Sequence, residues 1–149
     1  MQFLDNSDFQ KIETELGIQL PAHFKKFHLG QRDLIQELAR FEEDLYVMVT
    51  AKSFIEINSI YAFHTSKPKV CIGQDGGGGV YLMDISPDSV DEIVYTIPHD
   101  LYSDEEEADM YDDELKDYKW HDERCQEAAN LVDFTTEQLT MLREVYEGA

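Results

Sequence analysis

Cysteine is scarce in this chain: Cys71 and Cys125 are the 2 it has, too few and too far apart in sequence to frame a small secreted scaffold. Reduced thiols are the expectation. Long apolar runs are missing too, since no stretch approaches the roughly 18 continuous apolar residues of a membrane-spanning helix. The start, Met1-Gln2-Phe3-Leu4-Asp5, has no basic region followed by an apolar run. A soluble, cytoplasmic protein is expected. Basic residues are also few, with 12 Lys and Arg against 32 Asp and Glu and a net charge of -20. Such a charge repels free nucleic acid and anionic membranes on approach, so neither is expected as a partner. Cationic proteins are.

Motifs of catalysis are absent. The sequence holds no Gly-x-Ser-x-Gly, no His-Glu-x-x-His and no Gly-Lys-Ser or Gly-Lys-Thr. Carboxylate pairs occur throughout, so no single pair points to acid–base chemistry, and a non-enzyme is expected. His121 and Cys125 are four apart on an expected helix, but two ligands do not complete a zinc site. No Asp-x-Asp-x-Asp-Gly loop is present for calcium. No metal and no cofactor are expected.

The acids that are present sit unevenly. Residues 1–75 hold 11 acids and 8 bases, net -3, whereas residues 76–149 hold 21 acids and 4 bases, net -17. Residues 100–123 alone contain 12 acids. Tyr102, Tyr111, Tyr118 and Trp120 run through that segment, which is not the aromatic-poor composition of plain disorder. With 149 residues and no internal repeat or linker, residues 1–149 are expected to form one domain with an acidic segment at about 100–123.

Periodicity places the elements. Ser7 and Gln10 suggest a capping box ahead of the stripe Phe9, Ile12, Leu16, stopped by Gly17. Pro21 suits a first helical position, with Phe24 and Phe27 buried and Gly30 as the stop. Leu34, Leu38, Phe41 and Leu45 mark a third helix. Residues 45–50 suggest a strand and 53–61 are ambiguous. Residues 69–73 and 80–84 suggest antiparallel strands around the loop 74–79, and residues 90–97 another strand. A helix over 115–132 is plausible despite Asp122 in its stripe. A final helix is expected, capped at Thr135-Thr136-Glu137-Gln138, with Leu139, Leu142 and Tyr146 on one face.

Two segments carry a resemblance. One is Glu15-Leu16-Gly17-Ile18-Gln19-Leu20-Pro21-Ala22-His23-Phe24-Lys25-Lys26-Phe27, a helix, Leu-Pro, helix entry. The other is Ile72-Gly73-Gln74-Asp75-Gly76-Gly77-Gly78-Gly79-Val80-Tyr81-Leu82-Met83-Asp84, a strand, glycine turn and strand ending in Asp. In this order they resemble the SUKH superfamily of fungal cell-wall assembly regulators and bacterial immunity proteins; the tail 128–134 is a weaker third match. The acidic segment has no obvious counterpart there. The resemblance implies an α+β domain with helices packed on a largely antiparallel sheet, and binding instead of catalysis. Bacterial members typically neutralise a cognate toxin, often a nuclease, in the cytoplasm, while fungal relatives act as interaction hubs.

Leu20, Pro21, Gly73, Asp75, Gly76, Gly77, Gly78, Gly79 and Asp84 are accordingly structural. The glycine run reads as a hairpin needing positive φ, because strand residues and not a helix follow it. Partner binding is expected at Asp104, Glu105, Glu106, Glu107, Asp109, Asp112 and Asp113, which would steer a basic protein such as a toxin domain. Tyr102, Tyr111, Tyr118 and Trp120 would supply aromatic anchors. The alternatives are a solvated acidic surface on a regulatory or scaffolding domain, and, more distantly, a small enzyme or nucleotide binder using the glycine loop.

Overall fold

The computed structural model describes residues 3–41, 50–60, 69–74, 80–85, 91–97, 111–112, 117–120 and 122–148. Among them are five helices and a four-stranded antiparallel sheet, the α+β class expected.

Helix α1 (Asn6–Leu16) is capped by Asp5, two residues before the expected Ser7. Asp5 Oδ1 accepts from the Asp8 backbone N–H at 3.0 Å, and Asp8 Oδ2 accepts from that of Asp5 at 3.0 Å. Two carboxylates thus make the reciprocal box, and their charge also suits the positive helix end. Gly17 closes α1 at φ 65°, a conformation costly for residues with a Cβ. Helix α2 (Ala22–Gly30) has Pro21 as its cap, not as its first turn. The Leu20 N–H just before it donates to Glu13 Oε2 at 3.0 Å, and Lys25 Nζ reaches Glu13 Oε1 at 3.3 Å. One carboxylate of α1 therefore holds the whole Leu20-Pro21 entry to α2.

Helix α3 (Arg32–Ala39) buries Ile35 and Leu38, with Leu34 and Phe41 packed at the edge of the core. Leu45 and residues 45–49 of the expected strand lie outside the described residues. The ambiguous stretch is helix α4 (Ala51–Ile60). Thr50 Oγ1 caps it by accepting from the Ser53 N–H at 3.1 Å, and Phe54 is fully buried.

The sheet runs in the order β1 (Lys69–Gln74), β2 (Val80–Asp84), β3 (Val94–Ile97), β6 (Gln126–Ala128), all antiparallel. Strand β3 starts at Val94, later than the pattern suggests. Asp91 organises the approach by accepting from the Ile93 N–H at 3.1 Å and from the Tyr95 hydroxyl at 2.7 Å. Strands β4 (Tyr111–Asp112) and β5 (Asp117–Tyr118) pair with each other as a separate ribbon.

The helix expected over 115–132 is not formed. Its described residues contain β5, a 3-10 turn at Glu123–Cys125 and β6. Gln126 and Ala128 instead meet Tyr95 and Val94 of β3, and pairing at an open sheet edge overrides the weak helical preference of this stretch. The last helix, α5 (Leu131–Glu147), is real, but its cap is Asn130, whose Oδ1 accepts from the Asp133 N–H at 2.8 Å. Thr135 lies inside the helix, and its hydroxyl donates to the Leu131 carbonyl at 2.8 Å.

Both sheet faces are covered. One carries Val70, Ile72, Tyr81, Met83 and Val94 against Phe9, Phe24, Phe54 and Phe134 of the helices. The other carries Cys71, Val80, Leu82 and Tyr95 with Trp120 and Cys125. That is why Val80 to Met83 is apolar without alternation.

Candidate functional site

The second face leads to the acidic half of the chain. Lys69 opens β1 and is 8% exposed, opposite Asp84, which has no exposed surface and ends β2. Its Nζ lies 4.6 Å from the centroid of the Tyr95 ring and 5.0 Å from that of Trp120. The two rings meet edge to face at 5.6 Å. An ammonium within about 6 Å of an aromatic face is attracted to it, more strongly when water is excluded. Burial, with help from the Asp91 carboxylate, pushes the Tyr95 phenol above its ordinary range, so it stays a hydrogen-bond donor.

Trp120 is 7% exposed. Expected as an anchor presented to a partner, it is packed in the core because the sheet's second face needs a large apolar cover there. Its backbone carbonyl accepts from Gln126 Nε2 at 3.1 Å. Two residues earlier β5 ends, and the β4–β5 register sets Tyr111 opposite Tyr118 and Asp112 opposite Asp117. The structure thus brings together Tyr111, Tyr118, Asp112 and, through the chain, Trp120. Tyr102, Asp104, Glu105, Glu106, Glu107, Asp109 and Asp113 lie outside the described residues, as do Asp75 and Gly76 to Gly79. Leu20, Pro21 and Gly73 are buried.

Cys125 is buried at the end of the 3-10 turn, not on a helix. Burial pushes the Cys71 thiol up to about 11, leaving it inert at neutral pH. Both cysteines are free. Among the described residues no group of three or more His, Cys, Asp or Glu is placed to hold a metal ion.

One feature escaped the sequence. A groove of about 400 Å³ runs between α2 and the start of α5, lined among others by His23, Lys26, Gln31, Glu92 and Asp133. Burial holds His23 below its usual range against the opposing carboxylates of Glu92, Asp91 and Asp84, so it is neutral at pH 7. The groove mixes both charge signs, and its walls come from segments more than 100 residues apart in sequence. No local pattern announces such a meeting.

Comparison with known proteins decides the family. The model of the SMI1 / KNR4 family (SUKH-1) matches residues 4–119. The chain belongs to that family. SUKH-1 membership fits an immunity or regulatory role, and the family is generally non-catalytic. The match takes in α1 to α4 and β1 to β5 and stops one residue before Trp120, so β6 and α5 lie beyond it. Neither the curated proteins nor the solved structures give a significant match to this SUKH-1 chain. Among the described residues no helix is long and apolar enough to cross a membrane.

Proposed function

We propose that this SUKH-1 protein is a cytoplasmic, non-catalytic immunity protein that binds a cationic toxin domain and blocks it stoichiometrically. The observation carrying this is the charge of residues 76–149, 21 acids against 4 bases, on a family background that fits immunity. Long-range attraction raises the encounter rate with a basic protein and rejects neutral or acidic competitors. If the partner is a nuclease, its phosphate-binding groove is positive, and the carboxylates of 104–113 would occupy it in place of nucleic acid.

The test is to mix the purified chain with the product of the neighbouring open reading frame. A one-to-one complex that weakens as salt rises, together with loss of the partner's toxic activity at equimolar ratio, is the expected result. No complex in low salt, or a complex that leaves the activity intact, sinks the inhibitor.

The second reading is a regulatory or scaffolding domain. It is favoured by the exposed apolar side chains of α5, Val132, Met141 and Val145, on an element beyond the family match. A scaffold would bind several partners weakly, and substitution of Val145 would affect that binding more than neutralising the acidic segment would.

A further inference from the structure

The groove between α2 and the start of α5 combines an apolar wall with charge that nothing in the chain neutralises. Phe27, Leu131 and Val132 supply the wall, Glu92 and Asp133 two carboxylates, and Lys26 one ammonium. Its volume of about 400 Å³ falls within the roughly 300–1,000 Å³ of sites that enclose a small group. Among the described residues Glu92 has no hydrogen-bond or ion-pair partner, and the Asp133 carboxylate accepts only from Asn130 Nδ2, at 3.3 Å. His23 lines the same groove, and its Nε2 is buried without a hydrogen-bond partner. Buried polar atoms are nearly always partnered in folded proteins, so an orphan at the wall of a cavity points to a group that belongs there.

The sign of the charge selects the group. Two lining carboxylates outnumber one ammonium, and Asp91 and Asp84 add their negative fields at His23. A cation is therefore favoured. Arginine suits the groove better than lysine, because its planar fork bonds two carboxylates at once while its apolar stem lies along a hydrophobic wall. We propose that this groove is the pocket for an arginine side chain of a basic protein partner: Phe27, Leu131 and Val132 pack its stem, Glu92 and Asp133 accept from its guanidinium, and His23 Nε2 accepts a further N–H. The pocket rests on the reading of a cationic partner and gives that partner its docking point. An arginine seated in a partly enclosed pocket is the kind of anchor that dominates an interface. Lys26 repels it and limits the affinity.

The test titrates the whole chain with acetyl-Gly-Arg-Gly-amide and with the same peptide carrying citrulline, which has the shape of arginine without its charge. Two-dimensional amide NMR follows the binding. Millimolar arginine peptide should give saturable shifts at Gln31, Glu92, Leu131 and Val132, and the citrulline peptide should bind several-fold more weakly. Glu92→Gln should weaken the arginine peptide about five-fold or more, whereas Glu15→Gln, the same charge change on the exposed side of α1, should hardly matter. Lys26→Met should tighten binding several-fold. Val132→Trp, at a side chain that is 40% exposed, fills the groove with no change of charge and should abolish the shifts; the amide spectrum itself shows whether each variant is folded.

No saturable shift at millimolar peptide overturns the proposal, as does equal binding of the citrulline peptide. So does a Glu92→Gln effect no larger than that of Glu15→Gln, which would reduce the attraction to the charge of the whole molecule. With the product of the neighbouring open reading frame, a Val132→Trp complex as tight as wild type overturns the docking point and leaves the inhibitor standing. Peptide seated in the groove of a chain that binds no such product supports the pocket and sinks the inhibitor instead.

Discussion

His28 is a polar residue in an apolar setting. It is 1% exposed, and neither ring nitrogen has a hydrogen-bond partner. The rings of Phe24, Phe27 and Phe9 lie 4.5, 5.3 and 6.3 Å away. Burial pushes its pKa down to about 3, so the folded protein keeps it neutral while the unfolded chain takes up a proton below about pH 6.5. Stability from this group is present above pH 6.5 and is lost as pH falls towards 3. At pH 5 the loss is about 2 kcal/mol. His28→Leu removes it, so the stability gap between His28→Leu and wild type should widen by about 2 kcal/mol from pH 7 to pH 5 in urea titrations. Asn58 does the opposite kind of work. From α4 its side chain donates to the Cys71 carbonyl at 2.9 Å and accepts from the Cys71 N–H at 2.8 Å, occupying as a neighbouring strand would an edge of β1 that no described strand covers. Asn58→Ala should cost about 2 kcal/mol and expose that edge to pairing between molecules. Asn58→Asp should do no better, because a carboxylate cannot donate to the carbonyl; denaturation and sedimentation check both.

Element boundaries were decided by which side chain reached a free backbone donor. Serine at position 7 and threonine at 135 are good caps by composition, yet Asp5 and Asn130 hold those places. In α5 the choice follows from burial. Phe134 is fully buried and meets Tyr81 of β2 at 4.8 Å, so the helix must already be under way at that position. Asn130→Ala should therefore lower stability by about 1 kcal/mol in thermal or urea melts. Thr135, buried inside the helix, has no capping bond to lose. Strand β2 illustrates the reverse, since its aromatic and aliphatic run beside the glycine loop marks it as a strand in the sequence, and the structure adds that both of its faces are covered. Residues 115–132 misled for a physical reason: Gln126–Ala128 carries no strand signal of its own and becomes β6 because β3 leaves an edge open beside it.

Charge acts at the scale of the whole molecule. The first half is nearly balanced, and its acids and bases meet in pairs such as Glu13 with Lys25 at 3.3 Å and Glu37 with Arg40 at 2.9 Å, while Arg143 of the second half also reaches Glu37 at 3.1 Å. Those hydrogen bonds hold the Glu37 carboxyl below its usual range. On an exposed surface such pairs add little stability. The second half has too few bases for such pairing, so its field extends outward. Changing Asp104, Glu105, Glu106 and Glu107 to Asn or Gln should slow association with a basic partner several-fold in low salt, and hardly at all in high salt. The melting temperature should change little. Stopped-flow rates across a salt series check this, and a salt-independent rate in wild type would remove the electrostatic role.

By itself the sequence determined the class of fold, the family, the Leu20-Pro21 entry, the hairpin strands β1 and β2 and the sign and place of the excess charge. Each of these is written in neighbouring residues or in a sum over them. Only the tertiary structure decided that Trp120 is packed in the core, that Lys69 lies against the rings of Tyr95 and Trp120, that Asn58 bonds a strand edge and that β6 replaces a helix. Those outcomes depend on residues 13 to 51 positions apart meeting in space, and nothing in either local stretch encodes the meeting.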